Sequence, residues 1–160
     1  MVEIGFVIEA VVTHVEHYGV FLRHDGEEVI VLIPEFSWRP VKNLRDVVRV
    51  GDRLKVLVLR YNYKKRQIVA SVRRLHQEDN PYRELSRLPP GEVLEGTVTF
   101  AAGEDLTIRL PNGAWGDLPK RSLGREASVG DKVNVEVEAL EVDEGRLTLA
   151  PAGSAVEAVR

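Results

Sequence analysis

Apolar and polar positions alternate along most of the chain, at the period of two that marks strands with one face turned inward. Residues 4–15 carry Val7, Val11 and Val15 among further apolar residues and predict a first strand. Gly19 and residues 20–23 predict a turn and a second strand. Gly19 is read here as the position free to take positive φ or a bulge. Asp25-Gly26 predicts a tight hairpin turn, followed by a third strand over 28–33 that Pro34 ends. Residues 35–50 form a longer connection with a short helical turn near 44–48. Leu54, Val56 and Val58 alternate with Lys55, Leu57 and Leu59 in a fourth strand. A basic turn over 62–66 leads to a fifth strand over 67–73.

The same pattern then returns. Asn80-Pro81-Tyr82 opens a short helix, with Asn80 as cap and Pro81 at its first position, and Pro89-Pro90-Gly91 stops it. Beyond it, Gly91-Glu92-Val93-Leu94-Glu95-Gly96-Thr97-Val98-Thr99 repeats residues 5–13, and Val129-Gly130-Asp131-Lys132-Val133 repeats residues 50–54. Arg146-Leu147-Thr148-Leu149 closes the second copy as Gln67-Ile68-Val69-Ala70 closes the first. Five strands with a longer connection before the fourth is the layout of an OB-type barrel, and the repeat predicts two of them. The expected fold is all-β: two tandem five-stranded OB-fold barrels joined by a short helix. The expected divisions are a first domain over 1–76, a linker helix over 77–90, a second, degenerate domain over 91–150 and a flexible tail over 151–160.

Charge separates the two halves. Residues 1–88 hold 15 Lys/Arg against 12 Asp/Glu, a balance of +3, and residues 89–160 hold 7 against 13, a balance of −6. A phosphate backbone is drawn to the first half and repelled by the second. The chain has no cysteine, which excludes a disulfide scaffold, a zinc–thiolate site and a cysteine nucleophile. His14 and His17 fall on opposite faces if the strand continues, a poor metal pair, and His24 and His76 add no third ligand. The carboxylate pairs Glu27-Glu28, Glu104-Asp105 and Asp143-Glu144 sit in turns without a base or nucleophile beside them. No phosphate-binding glycine loop is present. The expectation is a protein that is not an enzyme and has no metal or cofactor. No apolar run reaches the roughly 18 residues of a membrane span and no secretory leader is read, so the expected location is cytoplasmic.

Several ordered motifs resemble the S1 RNA-binding domain, the OB-fold repeat of bacterial ribosomal protein S1. They are Gly5-x-Val7-x-x-x-Val11 with Tyr18-Gly19-Val20-Phe21, then Ser37-Trp38-Arg39-Pro40-Val41-Lys42 before Val50-Gly51-Asp52, and Asn80-Pro81-Tyr82 with Pro90-Gly91-Glu92-Val93. The resemblance implies a platform for single-stranded RNA whose two aromatics are Tyr18 and Phe21. The family's histidine, aspartate and arginine positions fall here on Leu32, Asn62 and Gln67, three departures. Arg23, His24, Tyr63, Lys64, Lys65, Arg66 and Arg73 are the residues expected to rebuild the face and contact phosphate. Trp38 is expected to anchor the long connection by packing. In the second copy the aromatic stretch has become Ala101-Ala102-Gly103-Glu104-Asp105-Leu106, and Arg146 matches the family arginine. That copy is expected not to bind RNA by itself, and Trp115 marks a different contact surface.

Two functions follow. In the first, the first barrel holds single-stranded RNA in translation or RNA metabolism. In the second, degenerate S1 repeats dock on a ribosomal or nucleic-acid-processing protein, with the acidic second barrel facing a basic partner.

Overall fold

The computed structural model describes residues 3–152. The chain divides into two compact units between Asp79 and Asn80. In the first, β1 (Val7–Glu16), β2 (Gly19–His24), β3 (Glu27–Leu32), β4 (Arg53–Asn62) and β5 (Gln67–Ser71) close into a barrel in the order β1-β2-β3-β5-β4. β1 pairs with both β2 and β4, and the one parallel pairing, β3 with β5, completes the circuit. A four-residue helix, α1 (Ile33–Phe36), follows β3, and a 3₁₀ turn, Leu44–Asp46, lies in the long connection. The fold is the expected all-β pair of five-stranded barrels.

Alternation explains the barrel interior. Ile8, Ala10 and Val12 of β1, Val20 and Leu22 of β2, Val29 and Val31 of β3, and Ile68 and Ala70 of β5 fill one cluster. Leu44 and Val48 of the connection join it. A bulge between Val12 and His14 shifts the parity of β1, so Val15 points inward with the even-numbered residues before it. His14 is thereby turned outward and exposed.

The Asp25-Gly26 turn has φ of 47° and 81°, the paired positive values of a hairpin turn whose twist suits the flanking strands. Gly19 has a different reason from the expected one. It is the first residue of β2, not a positive-φ position, and a Cβ there would lie 2.8 Å from the Val31 carbonyl oxygen. Close approach of β2 to β3 is what demands glycine. The fifth strand stops at Ser71, short of residue 73, because Arg73–Leu75 curls into a 3₁₀ turn.

The second unit repeats the topology with β6 (Leu94–Phe100), β7 (Asp105–Arg109), β8 (Trp115–Pro119), β9 (Lys132–Glu141) and β10 (Arg146–Pro151). They close in the order β6-β7-β8-β10-β9, and α3 (Lys120–Leu123) stands after β8 as α1 stands after β3. The residues opening this unit are built into it. Tyr82, in α2 (Tyr82–Leu85), is fully buried and its hydroxyl donates to the Trp115 carbonyl at 2.7 Å. The Asn80 amide donates to the Val142 carbonyl at 2.8 Å. Of the tail expected over 151–160, Pro151 still pairs with Val135 and Ala152 donates to the Asn134 carbonyl. The remainder, 153–160, lies outside the described residues.

Candidate nucleic-acid interface

The outer face of the first barrel is built by strand register. On β2, Val20 and Leu22 point inward, so Phe21 and Arg23 point outward. One row runs His14–Phe21–Ile30–Val69–Arg60 from β1 through β2, β3 and β5 to β4. A second row, two residues along, runs Arg23–Glu28–Gln67–Asn62. Ile30 and Val69 are buried yet stand outside the interior cluster, so the first row has an apolar floor.

Four rings gather at the edge of that floor. Tyr18, 45% exposed in the β1–β2 turn, meets Phe21 edge to face with ring centroids 6.0 Å apart. His14 lies 5.9 Å from Phe21, and His17 lies 5.3 Å from Tyr18, also edge to face. Strict alternation along a continuous strand predicts His14 and His17 on opposite faces. The bulge and the end of β1 at Glu16 bring both to the same ring cluster. The Glu16 carboxylate contacts His14 Nε2 at 2.5 Å.

Tyr63, 74% exposed, packs its ring against Tyr61 at 4.8 Å, and Lys64, Lys65 and Arg66 make the exposed β4–β5 turn. The Asn62 side chain accepts from the Lys65 backbone N–H, and Arg66 takes φ of 51° to close the turn. Arg23 is exposed and donates to the Gly26 carbonyl at 3.0 Å. His24 follows the inward parity of β2 and holds the Glu9 carbonyl at 2.8 Å through Nδ1, away from the ring cluster.

Arg73, expected at the phosphate, is instead 5% exposed and stacked over the Trp38 ring at 4.2 Å. Its Nε lies 3.4 Å from the Glu35 carboxylate, which also takes two bonds from Arg74, at 3.1 and 3.0 Å. Trp38, 2% exposed, is a packing residue as expected. Burial alone raises the Glu35 carboxyl, but the bonds from Arg74 and Ser71 and the charges of Arg73 and Arg74 outweigh it and hold the group below its ordinary range.

The corresponding face of the second barrel has the same register and different chemistry. Its first row is Phe100–Thr107–Asp117–Thr148–Ala139. Phe100 stands where His14 does, after an equivalent bulge, and is 55% exposed. Asp117 is raised above its ordinary value, by partial burial and by the nearby Asp105 charge. Arg109 lies over Trp115 at 5.2 Å, and Arg146 pairs with Glu141 and Glu144 at 3.2 and 3.1 Å. Among the described residues no helix is long and apolar enough to cross a membrane.

Comparison with known proteins gives the face its context. Residues 1–73 match the S1 RNA binding domain. The small ribosomal subunit protein bS1 of Neisseria meningitidis is 28% identical over 152 residues, 89% of this chain and 26% of that protein. A 4-hydroxy-3-methylbut-2-enyl diphosphate reductase of Clostridium acetobutylicum is 29% identical over 136 residues, 83% of this chain and 21% of the reductase. The chain thus spans about a quarter of the length of these curated relatives. The solution structure of GSP13 from Bacillus subtilis is 30% identical, covering 48% of this chain and 59% of that one at a TM-score of 0.45. The S1 match, the bS1 relatives and the two barrels with their internal repeat are consistent with a tandem of S1 repeats, and they support a nucleic-acid-binding role.

Proposed function

With its first 73 residues matched to the S1 RNA binding domain, we propose that the chain holds single-stranded RNA on the outer face of the first barrel, without chemistry of its own. The observation that carries the reading is the exposed Tyr18 ring standing edge to face on Phe21, beside the apolar floor of Ile30 and Val69. An exposed ring offers a base its π-surface, worth roughly 1–3 kcal/mol per stacked base. Lys64, Lys65 and Arg66 supply the phosphate contacts from the exposed β4–β5 turn, beyond the Arg23–Glu28–Gln67–Asn62 row, and Arg23 supports them from β2. Such contacts position the strand and carry little sequence information. The setting is translation or RNA metabolism in the cytoplasm, with RNA or the ribosome as partner, and the bS1 relatives support it.

A labelled RNA of about 12–20 nucleotides, titrated at two salt concentrations, tests this. Three phosphate contacts in a single strand give a log–log salt slope of about −2. Micromolar or tighter binding with such a slope supports the reading, and absence of binding at low salt overturns it.

A second reading belongs to the other barrel. Asp105 and Asp117 on the face of β7 and β8 repel phosphate, while Phe100, across Thr107 in the same row as Asp117, is exposed. That combination favours a basic protein partner over RNA. Retention of a basic ribosomal protein by the chain, lost on Phe100→Ala, would support it.

A further inference from the structure

We propose that Glu28 and Gln67 together read base identity on the first barrel and favour guanine over uracil. The proposal rests on the RNA reading above and adds a specificity to it.

The two residues are directly opposite each other in the parallel β3–β5 pairing and on the outer face. The Gln67 amide Nε2 donates to Glu28 Oε1 at 2.7 Å. Gln67 is 7% exposed, so its amide is held in one geometry, whereas Glu28 is half-buried. Arg23, opposite Glu28 on β2, turns its guanidinium to the Gly26 carbonyl at 3.0 Å. A glutamine at position 67 leaves the negative charge of Glu28 in place, where an arginine would neutralise it.

An ionised carboxylate only accepts hydrogen bonds, and one bond from Gln67 leaves most of its lone pairs free. Glu28 stands two residues from Ile30, the neighbour of Phe21, so it lies about 7 Å along the strand from the stacking row. A base stacked on Phe21 carries its Watson–Crick edge over that distance. Guanine presents two adjacent donors there, N1–H and N2–H, which match the two oxygens of a carboxylate. Uracil presents one N–H between two carbonyl oxygens, and those oxygens face the carboxylate's own lone pairs. Adenine and cytosine, with one amino donor each, fall between. Unpaired bases in single strands are read on this edge.

The test uses the full chain and two labelled RNAs of about ten nucleotides, one all uridine and one with a single central guanine. The expected result is about tenfold tighter binding of the guanine-bearing strand, the discrimination given by one good bidentate contact. In Glu28→Gln the ratio falls to about one, because guanine loses its paired acceptors and the repulsion of uracil's oxygens is relieved. Equal affinities in the unmodified protein overturn this proposal and leave the RNA reading standing. An undiminished guanine preference in Glu28→Gln also overturns it. Failure of both strands to bind at low salt overturns the RNA reading itself. The comparison of the two strands on the unmodified protein needs no variant to fold.

Discussion

The two barrels share a strand order, a bulge in the first strand and the same cross-strand register, yet their equivalent outer faces differ. Where the first barrel sets Phe21, Ile30 and Val69 in a row, the second sets Thr107, Asp117 and Thr148. The backbone frame is therefore separable from the chemistry displayed on it. Inward positions are constrained by the need to fill a closed barrel. Outward positions are free to become an apolar and aromatic platform in one copy and a hydroxyl and carboxylate surface in the other. Even inside, the copies solve packing differently: Ala10 of β1, 1% exposed, has Gly96 of β6 as its counterpart.

The comparison breaks most visibly if the ring pair is removed. Tyr18→Ala combined with Phe21→Ala should cost roughly 2–6 kcal/mol of RNA binding at 1–3 kcal/mol per base. The measurement is a fluorescence titration, with unchanged circular dichroism showing an intact barrel. Undiminished affinity would place binding elsewhere.

Next in size is the Glu35 clamp, which the first barrel has and the second lacks, since Ser122 occupies the corresponding position of α3. Because the Glu35 carboxyl titrates below its ordinary 4.5, the folded state favours the ionised form. Its contribution is present above the unfolded value and is lost as pH falls through the lowered folded value. Glu35→Gln should destabilise the first barrel by about 3 kcal/mol at neutral pH, the scale of a broken buried ion pair. As pH falls through the lowered folded value the two proteins should converge. Thermal melts across pH 3–7, followed by barrel-specific hydrogen exchange, check both the size and the convergence.

Packing gives a third contrast. A Cβ on Gly96 would lie 2.2 Å from Cγ2 of Ile108, a branched side chain with little room to move. Gly96→Ala should overpack the second barrel and cost about 1–3 kcal/mol, although alanine is the native residue at the matching place in the first. A denaturant midpoint that does not move would show that β6 and β7 can separate without cost.

The smallest effect concerns Asp117. Its raised value means that the folded state favours the neutral form, so the associated stability is present below the ordinary 3.8 and lost as pH rises through the raised value. Asp117→Asn should raise the melting temperature of the second barrel slightly at neutral pH and leave it unchanged near pH 3. An equal shift at both pH values would point to packing instead of charge.

Much of the fold was legible because burial in a closed barrel enforces alternation, and alternation is written in the residue order. The repeat of residues 5–13 over 91–99 announced the second barrel for the same reason. Tyr18 and Phe21 were legible as aromatics bracketing a glycine, and the structure sets them 6.0 Å apart on one face. His14 and His17 were not, since a bulge between Val12 and His14 changes parity without leaving a mark in composition. Arg73 was misjudged because a charged residue's burial depends on partners distant in sequence, here Glu35 and Trp38.

The sequence by itself determined the strand pattern, the number of barrels, the tight turn at Asp25-Gly26 and the charge contrast of the two halves. These are set by local geometry and by the sorting of apolar from polar residues, which neighbours along the chain reveal. Only the tertiary structure decided which outward residues stand side by side. The rows from His14 to Arg60 and from Arg23 to Asn62 cross several strands, and the β3–β5 pairing joins Glu28 to Gln67. Register across a closed sheet is fixed by the whole barrel at once: one residue of slip would send every inward side chain to the surface.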